Sequence, residues 1–544
     1  MSDGPPAPAE SSSPLASRTF REIWAANTLS NLGSLIQLVG ASWLMISLTT
    51  SEQMIALVQA STALPLMLLA LWGGTIADRF DRRDVMMMAQ AFTMIASAAL
   101  AFCAWAGWLS PWSLLIFTFL IGCGGAMKTP AWQAAVGEMV PRAALPSAIA
   151  LNSVGFNLAR SVGPAIGGLI VAAGGPAVAF VANALSNIGM LAALRRWRRP
   201  RTTRTLPRES FIAAIGAGIR YVAMAPAILT VLPRAALFGL TASSVQALLP
   251  LIVRDRMHGD AFTYGLLLGA FGLGAVAGGL GIGKLGRRWS PEQLSRIFSL
   301  VFVIGTVGIA LSPWLAMSLA ALALSGAGWL VTFSTLNVTV QMNAPNWVLA
   351  RALALYQMAA FGGVAAGSWL GGFLADHHGV RDALLVSAAL QLGVIALTRW
   401  LPLLGSNNLD LMPFSGRKPI EAEVAPARQD SPVVLFTEFR IHVADHPKFL
   451  ALMQERRRIR GRNGARRWQL LQDMRDPEIW VETIHLRAWS DYLRHRERIA
   501  EYEAQLFAQI RALDRSDEAP RIRRFVVAPQ GHSTEVPVTP TDLA

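Results

Sequence analysis

The sequence predicts an all-α membrane protein of twelve transmembrane helices in two pseudo-symmetric six-helix bundles, followed by a small α+β domain. Three observations predict it. First, of 544 residues 53% are hydrophobic and only 15% charged, where a soluble chain carries about 25% charged residues. Second, the apolar residues gather into twelve runs near the length of about 20 that a membrane-spanning helix needs. Third, landmarks of the first six runs recur in the last six at a nearly constant offset.

The chain opens with "MSDGPPAPAESSSPLASR", a Pro/Ala/Ser-rich stretch read as a disordered tail over 1–18. It lacks the basic start and short apolar core of a cleaved signal peptide, so the first run is expected to stay. The runs are 23–49, 53–77, 85–108, 112–135, 146–172 and 176–194, forming a bundle over 19–194. The remainder, 226–252, 261–284, 293–312, 314–340, 348–375 and 381–403, form a bundle over 226–403. Between them, 195–225 reads as a central loop. Its "FIAAIGAGIRYVAMA" segment is too short to span and carries Arg220, as a helix lying on the membrane surface does. Cys103 and Cys123 lie inside apolar runs, and neither a disulfide framework nor a metal-ligand spacing is present.

The loops give the orientation. One side carries Arg79, Arg82, Arg83, Arg142, the "RRWRRPRTTR" run from Arg195, Lys284, Arg287 and Arg288. On the other side Arg254, Arg256 and Arg381 each stand near an acidic residue. The positive-inside rule places the first side and both termini in the cytoplasm. The net charge of +14 is thereby assigned to topology, and no nucleic-acid partner is expected.

The repeat is legible in four places. Gly163-Pro164-x-x-Gly167-Gly168 returns 204 positions later as Gly367-Ser368-x-x-Gly371-Gly372. Ser110-Pro111-Trp112 returns as Ser312-Pro313-Trp314, and "AIALNS" from Ala148 as "ALALYQ" from Ala352. Gly74 begins G-x-x-x-D-R-x-x-R-R, and Gly279 begins G-x-x-x-G-K-x-G-R-R. Both copies start in helices of the same orientation, so the halves are related by an axis along the membrane normal, a transporter architecture.

"GGTIADRFDRR", Gly73 to Arg83, is similar to the signature between the second and third helices of the major facilitator superfamily, with Asp81 where a glycine is more usual. "ARSVGPAIGG", 159–168, resembles the helix-five motif of its exporters, here Arg160, Gly163, Pro164, Gly167 and Gly168. "VPRAALPSAIALNSVGFNLARSVGPAIGG" and "DRFDRR" are most similar to the secretion-effector branch that includes the enterobactin exporter. The resemblance covers about residues 18–404 and implies the superfamily fold, secondary-active transport by alternating access, and a gating role for Gly74, Asp78, Arg79, Asp81, Arg82 and Arg83. Arginine's planar fork suits directional pairs that hold in one state and break in another. Helix eight, with Gly265, Gly269, Gly274 and Gly278, has the small-residue spacing that lets helices approach closely.

Polar side chains inside a span are costly and mark candidate sites. In the first run Asn27, Asn31, Ser34 and Gln37 form one stripe. The fold implied by the resemblance sets helices one, four, seven and ten around a cavity, which adds Lys128, Arg234, Thr332, Thr335 and Thr339. Arg160 falls near mid-membrane, with Asn157 one turn before it. Asp and Glu are missing from the middle of every run; Glu22, Glu52, Asp78, Glu138 and Asp376 sit at the ends. Buried cations without buried acids point to an acidic small molecule, such as a siderophore or other acidic metabolite, rather than a lipophilic cation. The coupling ion is left open, a proton being usual in the branch. No G-x-x-x-x-G-K-[ST] phosphate loop is present to suggest ATP drive, and no cofactor, metal or catalytic residue is expected.

After a linker at 404–430 the composition turns soluble. Strand, helix, strand, strand, one long helix and strand follow over 431–530, the order of a ferredoxin-like domain, with a disordered tail at 531–544. "DPEIWVETIHLRAWSDYLRHRER" resembles the core of small monooxygenase-like dimeric α/β-barrel domains. His485 and His495 are read as surface or interface residues rather than catalytic ones, and the domain as a homodimerisation or regulatory unit. The alternatives are uptake, lipid movement, or a membrane-anchored enzyme working through this domain.

Overall fold

The computed structural model describes residues 13–197, 211–312, 314–403, 431–516 and 522–527. The N-terminal tail to residue 12, most of the "RRWRRPRTTR" run, the linker, the C-terminal tail, and the side chains of Asp78, Arg79 and Arg142 lie outside the described residues. The chain divides into two compact units, one holding the long helices and the other the residues after Asn407 together with Pro345–Trp347.

Twelve described helices are long and apolar enough to cross a membrane. They are α1 Arg18–Leu48, α2 Glu52–Arg79, α3 Arg82–Trp105, α4 Pro111–Met139, α5 Leu145–Gly174, α6 Pro176–Arg196, α8 Pro226–Arg256, α9 Ala261–Leu285, α10 Pro291–Leu311, α11 Leu315–Asn343, α12 Asn346–His378 and α13 Val380–Leu397. The short amphipathic α7, Phe211–Ala223, precedes α8. Local chemistry sets their ends. Ser17, Ser51, Asp81, Ser110, Asp260 and Ser290 accept a backbone N–H in the first turn of their helices, satisfying donors that would otherwise face lipid headgroups unpaired. Gly175 (φ 81°) and Gly379 (φ 84°) turn the chain out of α5 and α12 in the left-handed region. They stand 204 positions apart, one more pair in the repeat.

Packing repeats as the sequence does. In the first half α1 lies against α6, α2 against α4, and α3 against both α4 and α6. In the second half α8 lies against α13, α9 against α11, and α10 against both α11 and α13. The seam between halves is built from the glycine motifs. A Cβ on Gly167 would meet Ile36 of α1, whereas one on Gly168 would lie 2.5 Å from the Ala261 carbonyl of α9. Their counterparts do the same with the halves exchanged: Gly371 faces Ser244 of α8, and Gly372 faces Gln53 and Ala56 of α2. Each motif thus binds its own half with one glycine and the opposite half with the next.

The second unit is a four-stranded antiparallel sheet, β1 Val433–Arg440, β2 Arg467–Gln472, β3 Ile479–Leu486 and β4 Ile522–Val526, in the order β2-β3-β1-β4. Helices α14 His446–Arg462, α15 Trp489–Glu497 and α16 Glu501–Leu513 supply the crossovers. The core lies on one sheet face, where Val433, Leu435, Ile484 and Leu486 meet Trp489 and Tyr492, and Phe439 and Trp480 meet Phe449 and Ile510. The single long helix expected after β3 is two. The chain breaks before Ala500, whose extended N–H donates to the Glu503 carboxylate and starts a new helix. An apolar stripe continues through both pieces, which is why periodicity alone does not show the break.

Candidate functional site

The polar residues of the spans sort into three environments. The first is internal to each half. Gln37 of α1 accepts from Ser97 of α3 (3.0 Å) and from Asn183 of α6. One level away, Ser30 donates to Asn187 (3.1 Å), and Gln90 donates to both. Arg234, only 3% exposed, pairs with Glu292 of α10 at 2.5 Å and donates to Ser295 and the Leu401 carbonyl. Gln37 and Arg234 are therefore staples between helices of one half. Thr335 donates to Val331 O and Thr339 to Thr335 O, while Thr332 faces Arg234 and Ser295 around a small internal gap.

The second environment joins α1 and α4. Lys128, 9% exposed, donates to Asn31 Oδ1 at 3.2 Å. Asn27, one turn earlier, is buried, and Ser34 turns back to the Ser30 carbonyl. The expected α1 stripe is thus divided, with Asn31 turned to α4 and Gln37 to α3 and α6.

The third environment is a cavity of about 530 Å³ at mid-depth between the halves, lined from α2, α5, α8, α11 and α12. Of the expected cavity residues it receives Arg160 alone. Arg160 is also its one charged lining residue among those described. The Arg160 guanidinium lies 5.7 Å from the ring centre of Phe271 on α9, and no carboxylate pairs with it among the described residues. Asn157 bonds back to the Ser153 carbonyl and does not line the cavity. The walls carry Phe156, Trp329, Phe333, Tyr356 and Phe361, with Gln59, Gln246, Asn337 and Gln357 as neutral hydrogen-bonding groups. Sequence reasoning missed these. On α11 it followed the threonine face, and the cavity takes the Trp329–Phe333–Asn337 face, a signal carried by aromatic and amide residues at spacing four.

Of the signature residues on the basic loop face, Asp81, Arg82 and Arg83 have described bonds, and these lie within the first half. Asp81 caps α3. Arg82 donates to the Ala134 carbonyl and pairs with Glu138 of α4 at 2.7 Å. Arg83 reaches the Leu194 and Arg195 carbonyls at the end of α6. Around Gly74 the space is open. Contacts across the seam run from mid-depth to the opposite face, through Gln59–Gln246, Gly272–Arg160, Gly265–Pro164 and Gly372–Gln53.

In the second unit His495 is 1% exposed, which corrects its reading as a surface or interface residue. Its Nδ1 contacts the Asn463 carbonyl (3.2 Å) and its Nε2 faces Arg460 (2.8 Å), so the ring is neutral with its proton on Nδ1. Burial, and then the Arg460 charge, push its pKa down to about 3. Glu482, fully buried between Arg456 and Arg460, is drawn down to about 2 by those two cations against the cost of burial. His485 is half-buried on the opposite sheet face. No group of three or more His, Cys, Asp or Glu able to hold a metal exists among the described residues.

Comparison with known proteins agrees with this architecture. The family model described as "transmembrane secretion effector" matches residues 9–531. The chain is 27% identical to the multidrug efflux pump Tap of Mycobacterium tuberculosis, over 71% of this chain and 94% of that one. It is 30% identical to the enterobactin exporter EntS of Shigella boydii, over 60% and 80%. Among solved structures, a bacterial homolog of the human lysosomal transporter Spinster, inward-facing and unoccupied, superimposes with a TM-score of 0.58 at 15% identity, covering 72% of this chain and 98% of that one. Nucleoside transporter NupG superimposes with a TM-score of 0.56 at 13% identity, covering 71% and 99%. Twelve spans, two halves exchanged across glycine seams and a family match over nearly the whole chain make this protein a member of the transmembrane secretion effector family of major facilitator superfamily transporters.

Proposed function

We propose that the chain exports a small acidic molecule from the cytoplasm by rocking its two halves about the mid-depth cavity. The observation that carries this reading is Arg160, a cation in the cavity wall with an aromatic neighbour and no partnering carboxylate among the described residues. A guanidinium so placed gains most from a ligand that brings the missing negative charge. The aromatic walls suit a flat, drug-sized body, for which pockets of about 300–1,000 Å³ are usual. Export is supported by the relatives, an efflux pump and a siderophore exporter. The basic loop face is read as cytoplasmic, with both termini there. The described cross-half contacts then close the outer side, an inward-facing arrangement in which Arg82 and Arg83 bond within their own half.

The coupling ion is read as a proton entering against export. The second unit is read as a pairing or regulatory domain rather than an enzyme. Phe436 of β1 and Phe525 of β4 lie on the sheet face away from the helices, edge to face at 5.1 Å. A second copy could cover that apolar face. Transport of a panel of aromatic acids, neutral compounds and cations into inverted vesicles tests the substrate reading. Acids should accumulate, and Arg160→Gln should cut their transport by about 10- to 100-fold, the worth of a charged hydrogen bond of about 1.5–3 kcal/mol, while leaving neutral substrates unaffected. Cation transport indifferent to Arg160→Gln would refute it.

A further inference from the structure

The outer seam contains a contact that the glycine packing does not require. Asp376, in the last turn of α12, belongs to the second half; α2 begins in the first. Asp376 Oδ1 accepts the Glu52 N–H at 2.6 Å, and Oδ2 accepts from Ser51 Oγ at 3.1 Å. Ser51 is the cap of α2, its oxygen also receiving the Met54 N–H. One half thus seats a carboxylate on the unsatisfied N-terminus of a long helix in the other half, where the helix dipole favours negative charge. Gly372, one turn earlier, sets the spacing: its backbone meets Gln53 and Ala56 so closely that a Cβ there would lie 2.7 Å from the Ala56 side chain.

Three further facts make this contact specific. No cation pairs with Asp376 among the described residues, and the nearby Arg254 of α8 is taken by Asp255 at 2.5 Å. The repeat-related seam lacks an equivalent, since the position 204 before Asp376 is Ala172, and α9 is capped by its own Asp260. Glu52 lies within electrostatic reach of Asp376 and Asp255, with Oε2 buried and without a donor. Glu52 and Asp376 thus repel each other across the contact, and Arg254, also within reach of Glu52, relieves only part of that repulsion.

We infer that Asp376 is the latch of the outer gate: its carboxylate on the α2 N-terminus holds the inward-facing state, and the contact parts when the outer side opens. The inference rests on the alternating-access reading. It makes Asp376 a positioning residue, acting on the balance of states rather than on substrate. Two directions follow. Asp376→Asn, which keeps shape and loses charge, shifts the balance toward outer-open by about fivefold, the scale of one favourable charge at a helix N-terminus. Glu52→Gln, which removes the competing charge, shifts it the other way.

The test needs no substrate. Full-length protein with Cys103 and Cys123 replaced by serine carries spin labels at Ser47→Cys and Arg381→Cys, exposed positions on the outer side of each half. Pulsed electron-electron resonance in lipid nanodiscs reads the ratio of short to long distances. Expected are a fall in that ratio for Asp376→Asn, recovery in Asp376→Glu, a rise in Glu52→Gln and a smaller fall in Ser51→Ala. Should Asp376→Asn not yield monodisperse protein, Ser51→Ala and Glu52→Gln carry the test, their shifts having opposite signs. A two-state ratio unmoved by these substitutions overturns the latch alone. A single distance in every variant overturns the latch together with the rocking-halves reading.

Discussion

A guanidinium within a bilayer costs several kcal/mol unless something compensates it, and Arg160 and Arg234 are compensated differently. Arg234 is neutralised by Glu292 and wrapped by Ser295 and a carbonyl, so its charge holds together α8, α10 and the segment that follows α13. Arg160 has a ring face and a cavity, so its charge is available. From sequence the two looked alike, because Glu292 sits at a helix end and its reach inward depends on packing. The second unit shows the same principle where pH can report it. His495 is held neutral with its pKa near 3 and Glu482 ionised with its pKa near 2, each below its ordinary value of 6.5 or 4.5. For both, the unfolded chain takes up protons before the folded one does, so stability is full above pH 6.5 and falls as pH drops. The His495 contribution is lost from about 6.5 downward and that of Glu482 from about 4.5 downward. Limited proteolysis of the full chain should therefore show the domain opening progressively below pH 6.5. His495→Gln should flatten the profile between 6.5 and 4.5, leaving the acid limb of Glu482. A wild-type profile flat down to pH 4 would contradict the buried pair.

Elements were legible in the sequence to the extent that length and apolarity define them. Each of the twelve expected runs overlaps a helix, and both glycine motifs lie on the seam, because small-residue spacing has one main physical use in lipid. Which polar face of a span meets the cavity was not legible. A helix inside a bundle has protein on several sides, so the α1 stripe divides between neighbours, and Thr335 and Thr339 of α11 bond to their own backbone while aromatics line the cavity. The glycines themselves separate seam from gate. Gly168 has no room for a side chain, its Cβ position lying 2.5 Å from the Ala261 carbonyl, whereas Gly74 has nothing within 4 Å. Gly168→Leu should force α5 and α9 apart, lowering the melting temperature of the purified protein by several degrees and abolishing transport. Gly74→Ala should leave the melting temperature unchanged. If Gly74→Ala nonetheless slows transport, the signature glycine is required in the opposite state, where the basic loop face closes. Loss of stability in Gly74→Ala would instead show that its surroundings are packed in the state described here.

Across the whole molecule, the repeat has a mechanical meaning that individual motifs do not. The α5–α9 contact and the α12–α2 contact are the same contact with the halves exchanged, and both lie between mid-depth and the face opposite the basic loops. Two equivalent seams about one axis allow the halves to tilt as rigid bodies, since each half has its own internal polar staples, Gln37–Ser97–Asn183 in the first and Arg234–Glu292 in the second. Asymmetry is laid on top of that symmetry. Asp376 strengthens only one seam, and the second copy of the loop signature has Gly283 and Lys284 where the first has Asp78 and Arg79. Nothing in this mechanism draws on the second unit, whose core is closed by its own sheet and helices and whose buried carboxylates, Glu482 and Glu503, are held by its own Arg456 and Arg462. Deleting residues 405–544 should therefore leave twelve spans, the cavity and both seams intact, and transport into inverted vesicles should persist at a rate within a few-fold of the full chain. Any change should appear instead in the oligomeric state measured by light scattering, if pairing through the sheet is the role of the domain. Complete loss of transport in a truncated protein that is monodisperse and correctly inserted would place an obligatory step in the domain and displace the proposed division of labour.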